Sequence, residues 1–396
     1  MPERKPVLHI DYLYDMPLPV PLAAAIQILN TCHALARAGA SVRLLTNRLQ
    51  ASQAAILREY GLAPHPNFDI VQLFGTPDDT PQSIVRAVQR DGMGDQPQVI
   101  MSRGESGLRV FQALRRAEKR QTQIYLYEAH RFVYTEAKWW RRWRKYHLER
   151  AVLDIVDGVV CLTEGVRVAL DHEFGLHQPV LILPSGVHVP VQPPPSDAHR
   201  DIDILYAGKL IKRKGIEDLI QAMTYLPEHS LMMVGGSPAQ VAELEKQAQH
   251  LRIDLTLTGY VAPSQVIDYY QRARVGVCPL PTGTSLIAEQ FTSPLKVLQM
   301  MANGVPIVGT DVPSLHNILV QDETALLVAP GQPRALADAL NTLIADRSLA
   351  NRLAQAARQQ VQPYSWENRA SSLLTFIEQL QNSATPPQSA SAGRAP

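Results

Sequence analysis

Short apolar runs alternate with helical stretches through most of this chain, and that alternation restricts the fold more than any single motif. In the first half the runs lie near Val42 to Leu45, Ile70 to Phe74, Val99 to Met101, Ile124 to Tyr127, Val159 to Leu162 and Val180 to Leu183. Runs this short, with helical segments between them, read as strands of a parallel sheet. The second half repeats the scheme near Ile204, Leu231, Leu255, Val275, Ile307 and Ala325. Between the halves stands Pro190-Val191-Gln192-Pro193-Pro194-Pro195, a stiff extended connector. The expectation is an α/β protein of two parallel-sheet domains, 1–188 and 201–363, joined by a Pro-rich linker at 189–200.

Length and composition agree. At 396 residues the chain is too long for one ordinary core. With 45% apolar and 19% charged residues and a net charge of +1, it reads as a globular protein and not as a general nucleic-acid binder. Cys32, Cys161 and Cys278 lie far apart in apolar surroundings, so neither a disulfide framework nor a metal cluster is expected. Met1-Pro2-Glu3-Arg4-Lys5 leads into a strand rather than a secretory apolar stretch, and no run of about eighteen apolar residues occurs. A cytoplasmic location follows as an expectation. Trp366 opens an amphipathic helix through Leu373, Leu374, Ile377 and Leu380, and the Ser-, Ala-, Pro- and Gln-rich tail at 383–396 is expected to be disordered.

Two segments carry chemistry. The run Ser293 to Val308 places Ser293 as a helix cap and Pro294 in the first turn, so the free N–H groups and the positive dipole end can receive a phosphate, to which Lys296 adds a full charge. Leu295, Leu298 and Ala302 fall on one stripe, Gly304 ends the helix, and Ile307-Val308 opens a strand. Upstream, the strand Ile202 to Ala207 runs into Gly208-Lys209-Leu210-Ile211-Lys212-Arg213-Lys214-Gly215 and then a helix through Ile216, Leu219, Ile220 and Met223. In an open parallel sheet that turn sits at the carboxyl edge, where ligands bind, and Lys209 and Lys214 are placed to reach one diphosphate.

Together these segments resemble the retaining glycosyltransferases of family 4, which have the GT-B fold of two Rossmann-like domains facing a donor cleft. The resemblance extends from the strand Val7 to Tyr12, through Tyr127-Glu128-Ala129-His130 and Asp157 to Thr163, to Ala325 to Val328 and Tyr364-Ser365-Trp366. It implies that Lys209 and Lys214 are donor-diphosphate cations and that His130 lies beside the donor sugar. It further implies that Gly208, Ser293, Pro294, Leu295 and Lys296 hold the donor, that Tyr260 and Val261 contact the base, and that the helix at 364–382 crosses back to the first domain. Where the family usually has Arg, this chain has Lys209, a point charge without the bidentate fork. Where the family has two glutamates, this chain has Phe291 and Gln299. Gln299 can still hydrogen-bond a ribose, whereas Phe291 offers the sugar no polar contact. The loop after the first strand, Met16-Pro17-Leu18-Pro19-Val20-Pro21, lacks the family's paired glycines and with them backbone donors.

The implied activity is a metal-independent transfer of a hexosyl group, with retention, from a nucleotide diphosphate sugar to a hydroxyl of a glycan, glycolipid or small molecule. No cofactor is needed, because the nucleotide sugar is a co-substrate. A catalytically silent nucleotide-binding or partner subunit is the rival from another class, and a nucleotide-sugar epimerase of the same fold is a second enzyme reading. Asp201-Ile202-Asp203 has a metal-binding form but begins a strand, and Gly92-Met93-Gly94-Asp95 has the wrong order for a dinucleotide loop. Finally, Lys138-Trp139-Trp140-Arg141-Arg142-Trp143-Arg144-Lys145-Tyr146 sets three tryptophans among five cations. Such a helix either rests at a lipid interface as a peripheral contact, stacks on an acceptor sugar while its cations hold acceptor phosphate, or partly buries its tryptophans against the first domain with the cations as a solvated rim.

Overall fold

The computed structural model describes residues 8–73, 98–103, 107, 109–113, 123–130, 138–192, 199–283, 291 and 293–384. Strands β1 His9–Leu18, β2 Ser41–Leu49, β3 Phe68–Gln72, β4 Gln98–Ser102, β5 Gln123–Ala129, β6 Gly158–Cys161 and β7 Val180–Ile182 form one sheet in the order β3-β2-β1-β4-β5-β6-β7. Every pairing in it is parallel. A second parallel sheet has the order β10-β9-β8-β11-β12-β13, from β8 Ile202–Ala207, β9 Leu231–Val234, β10 Leu255–Leu257, β11 Ala273–Cys278, β12 Ile307–Thr310 and β13 Leu326–Val328. Both are doubly wound, with the strand order reversing beside β1 and β8, so the carboxyl ends of those strands and their neighbours form the ligand edge. The central strands β4 and β6 are buried at every residue, as helices on both faces require.

Two parallel sheets are thus what the alternating runs imply, and the pair of them fits the GT-B fold that the family resemblance implies. One detail differs. Met16 to Pro21 was expected to be wholly loop, yet β1 continues through Leu18, pairing Pro17 with Arg48 and Leu18 with Leu49 after a register shift beyond Tyr14. Proline is tolerated there because β4, the neighbour on the other side, pairs with β1 only as far as Leu13, so no ladder partner needs the missing N–H.

The helix Trp366–Ala384 follows the last elements of the second sheet but packs on the first. Its residues Trp366, Ala370, Leu373, Phe376, Ile377 and Leu380 recur at helical spacing and join Ile28, Leu29 and Cys32 of the helix Ala23–Arg37 in one core. Each of these large side chains contributes roughly 1.5 to 3 kcal/mol by leaving water. A methyl group at Gly158 would lie 2.9 Å from Leu380 and 3.0 Å from Phe376, so the helix packs closely on the sheet here and alanine would force those side chains to shift. At its start the Val187 N–H donates to the Tyr364 carbonyl at 2.8 Å, tying the crossing point to the connector.

Candidate active site

Three strand ends converge at the edge of the second sheet. Gly208 donates its N–H to Val234 at 2.8 Å, and Gly235 donates to Gly259 at 2.9 Å. The backbones approach so closely that a Cβ on Gly235 would sit 2.2 Å from the Gly208 carbonyl oxygen. Beyond Gly208 the chain makes a single 3-10 turn, Lys212–Lys214, and swings through Gly215 at φ +73° into the helix Ile216–Met223. A Cβ on Gly215 would meet the Pro279 carbonyl oxygen at 1.5 Å, so only glycine can bring the lysine turn against the end of β11. Ile216, Leu219, Ile220 and Met223 are all buried and anchor the turn from behind.

The lysines of this edge differ in environment. Lys209 is exposed, and Lys212 pairs with Glu217 at 3.1 Å on the surface. Lys214 is half-buried, and its ammonium is pushed down to about 8 by burial and then by the nearby charge of Lys296. Burial alone holds Lys296 at about 8 as well. Although its stem is partly accessible, the Lys296 Nζ atom is buried and has no hydrogen-bond partner among the described residues; it stands 3.7 Å from the centroid of the Tyr206 ring. The ring quadrupole recovers only part of the solvation that the cation gives up. Two lysines of depressed basicity thus lie near enough to feel each other's charge, Lys296 beside Gly208, and this arrangement suits a ligand of multiple negative charge.

The helix supplying Lys296 is Leu295–Ala302, with Pro294 in the capping position. Ser293 was expected to cap it and does not: its Oγ instead accepts the Ser185 N–H at 3.3 Å across the cleft. Proline at the cap leaves the helix without a side-chain acceptor, and the first N–H groups are not claimed by a cap. Leu298 and Ala302 are buried in the second domain, while Leu295 packs against the core of the first. Gln299 is half-buried one turn further along the helix. Phe291 lies in the apolar cluster of the first domain with Leu13, Leu45 and Tyr127. Tyr260 follows Gly259, and its hydroxyl crosses to Glu59 at 2.5 Å; Val261 packs against the second core.

The first sheet presents a buried polar network at its own carboxyl edge. Glu128 and His130 are two residues apart at the end of β5, hence on one face. Glu128 Oε1 accepts from His130 Nε2 at 2.8 Å, Gln27 Nε2 at 2.8 Å and Arg369 Nη2 at 2.7 Å, while Oε2 accepts from the Tyr12 hydroxyl at 2.5 Å. Burial opposes ionisation of this carboxyl, but Arg369, His130 and Arg103 outweigh it and hold Glu128 well below the usual carboxylate range. Burial, reinforced by Arg103, depresses His130 to about 4 against the pull of Glu128, so the imidazole is neutral near pH 7. A neutral ring that donates from Nε2 to Glu128 keeps Nδ1 as an acceptor. The motifs led to His130 but not to Gln27, Glu128 or Arg369. The available signals were a carboxylate inside an apolar strand and an arginine on the buried stripe of the last helix.

The tryptophan segment forms the helix Trp139–Leu153. Trp139, Trp140 and Trp143 are 78%, 55% and 71% exposed, more open than partial burial against the domain would leave them. The physical reason is that the packing seen among the described residues runs from Tyr146, whose ring lies 5.0 Å from that of Phe174, through Glu149, Val152 and Leu153. Arg141, Arg142 and Arg144 are exposed as well. Asp201 and Asp203 pair with Arg272 at 2.7 Å and Arg274 at 3.0 Å at the amino end of β8, away from the ligand edge. Gly92 to Asp95 lies outside the described residues. Among the described residues no helix is long and apolar enough to cross a membrane.

Family models match both halves of the chain: Glycosyltransferase Family 4 over residues 24–190 and Glycosyl transferases group 1 over residues 192–360. A D-inositol 3-phosphate glycosyltransferase of Xylanimonas cellulosilytica is 31% identical over 182 residues, which is 44% of this chain and 42% of that protein. The chain therefore aligns with less than half the length of this curated relative. Two solved structures share the fold over nearly the whole length. Sucrose-phosphate synthase from Thermosynechococcus elongatus has a TM-score of 0.76 at 22% identity, covering 95% of this chain and 100% of that one. Anabaena HepE in complex with UDP-glucose has a TM-score of 0.70 at 16% identity, covering 94% and 99%. With a two-sheet fold of GT-B type, a cationic ligand edge on the second sheet, and family models matching both halves, the chain belongs to the group 1 glycosyltransferases.

Proposed function

We propose that the protein transfers a hexosyl group from a nucleotide diphosphate sugar to an acceptor hydroxyl, without a metal ion and with retention of anomeric configuration. The observation that carries this reading is the buried ammonium of Lys296, without a hydrogen-bond partner among the described residues, at the start of the helix Leu295–Ala302, with Lys214 near it. A buried cation without a partner is costly, and a diphosphate would supply the missing negative charge. In the front-face mechanism that the family resemblance implies, the leaving diphosphate accepts the acceptor's proton. Lys209, Lys214, Lys296 and the helix end stabilise the charge that develops on it, while Gln299 holds the ribose and the Gly259–Val261 segment the base. His130, fixed by Glu128, orients the sugar as a neutral hydrogen-bonding group. That HepE has been solved with UDP-glucose supports a nucleotide sugar as the donor class.

A second reading has an observation of its own. Phe291 stands where the family has the glutamate that faces the sugar, and it is packed in the core of the first domain. A subunit that binds the nucleotide but turns over slowly or not at all fits that exchange. Titration calorimetry with nucleoside diphosphates, followed by product analysis with a donor panel, separates the two: both readings require binding, and only the first requires transfer or donor hydrolysis.

A further inference from the structure

We infer that the exposed end of the helix Trp139–Leu153 is a docking face for a lipid bilayer carrying anionic headgroups. Every residue from Lys138 to Arg144 is exposed, so nearly two turns of helix are open to solvent, whereas the rest of the helix anchors in the domain. At about 100° per residue, Trp139, Trp143 and Trp140 fall within one third of the circumference, with His147 on the same arc. The rings already associate, Trp139 edge-on to Trp140 at 5.9 Å and Trp143 to His147 at 4.4 Å. The buried residues Glu149, Val152 and Leu153 point to a different side. Arg144 borders the tryptophan arc on one flank and Arg142 on the other. Within the helix the one carboxylate is Glu149, which is fully buried and accepts a hydrogen bond from Tyr127, so the helix itself carries no exposed acid among its cations.

Exposed indoles ringed by arginines are the composition of an interfacial helix: amphipathic rings seat at headgroup level and each cation adds attraction to anionic lipid. A nucleic-acid duplex would use the cations but, with its bases stacked inside, would not call for three adjacent indoles on one face. Location adds meaning. The helix follows β5 and leads into β6, so its amino end emerges at the carboxyl edge of the first sheet, the edge that carries Glu128 and His130. A bilayer at this face would bring the mouth of the cleft to the membrane and present membrane-borne hydroxyls to it. The inference about the acceptor rests on the transferase reading; the docking itself does not.

The test uses the full chain and vesicles of phosphatidylcholine with or without phosphatidylglycerol. Of the four tryptophans, Trp366 is buried, so a blue shift of emission on vesicle addition reports the three exposed rings. Cosedimentation and a blue shift are expected with phosphatidylglycerol vesicles and should fade with salt. Replacing Trp139, Trp140 and Trp143 together by Ala should weaken binding by more than about tenfold, and Arg141→Glu with Arg144→Glu should do likewise. Because these side chains are exposed, an unchanged melting temperature is expected in both variants. No binding at low salt, equal binding by the tryptophan variant, or retention on heparin without any vesicle-induced shift would overturn the proposal. Nucleoside diphosphate binding by the vesicle-free protein is measured in parallel, and its loss would count against the transferase reading and leave the docking result intact.

Discussion

Arg369 Nη2 lies 2.7 Å from Glu128 Oε1, with the two side chains 3% and 2% exposed. The arginine comes from the helix that follows the second sheet, and the carboxylate from the carboxyl end of β5 in the first. The same guanidinium also donates to the carbonyls of Leu183 and Pro184 beyond β7 and to Thr31. One side chain therefore ties the returning helix, the end of the first domain and the histidine support together. Removing one partner of such a pair leaves the other charge buried and unmatched.

Arg369→Leu should accordingly cost about 3 to 5 kcal/mol of unfolding free energy, with Arg369→Lys losing less. Urea denaturation measures it. A loss below about 1 kcal/mol would mean that the pair adds nothing to the join.

Glu128→Gln keeps the shape of the network but removes the charge that holds the imidazole in place. With donor binding by the second domain unaffected, kcat should drop while the affinity for nucleoside diphosphate stays within about twofold. A parallel loss of nucleotide affinity would place Glu128 in donor binding and not in support of His130.

Lys214→Ala and Lys296→Ala should each weaken nucleoside diphosphate binding by around 1.5 to 3 kcal/mol, the range for a lost charge-assisted hydrogen bond. Both ammonium groups sit at about 8 in the free protein, so they are charged at pH 6.5 and progressively neutral above 8. An anion favours the charged form, so affinity should fall as pH rises through 8 and binding near that pH should take up protons. Calorimetry in buffers of different ionisation enthalpy reads the uptake directly; proton release would contradict the site.

Gln299→Glu, one turn beyond Lys296, should be tolerated and leave nucleotide affinity equal or higher, since an ionised acceptor bonds ribose hydroxyls more strongly. A folded variant that no longer binds nucleotide would show that Gln299 does something else.

Acid should destabilise the fold before most carboxylates titrate. Burial lowers His33, His130 and His188 below their ordinary value of 6.5, His130 to about 4. Between those limits the unfolded chain binds protons that the folded chain refuses, so stability declines as pH falls from 6.5. His130 alone corresponds to about 2 to 3 kcal/mol lost by pH 4, and the depressed Glu128 adds to the loss below about 4.5. Melting temperatures across pH 4 to 7 check this, and a flat profile would contradict it.

Much of the scaffold could be read in the chain because parallel strands buried on both faces announce themselves as uninterrupted apolar runs: β4, β6 and β12 are apolar or small almost throughout and wholly buried. The lysine turn was legible for a similar reason, since Gly208 and Gly215 bracket it and the helix behind has a clean buried stripe. What local pattern could not give was pairing at long range. Ser293 looks like a helix cap by its neighbours, yet its Oγ meets Ser185, more than a hundred positions away. Arg369 and Glu128 are 241 positions apart, and nothing in either neighbourhood names the other. The tryptophans were ambiguous because an indole suits a core and an interface equally; only where the helix begins to touch the domain decides it.

The central claim is tested most directly by incubating the protein with a panel of nucleotide diphosphate sugars in excess chelator and resolving the products by NMR. The account predicts release of nucleoside diphosphate, by transfer or by slow hydrolysis, with the anomeric configuration of the donor kept and the reaction lost in Lys296→Ala. Folded protein that binds no member of the panel, a product of inverted configuration, or turnover that appears only on adding magnesium or manganese would contradict it.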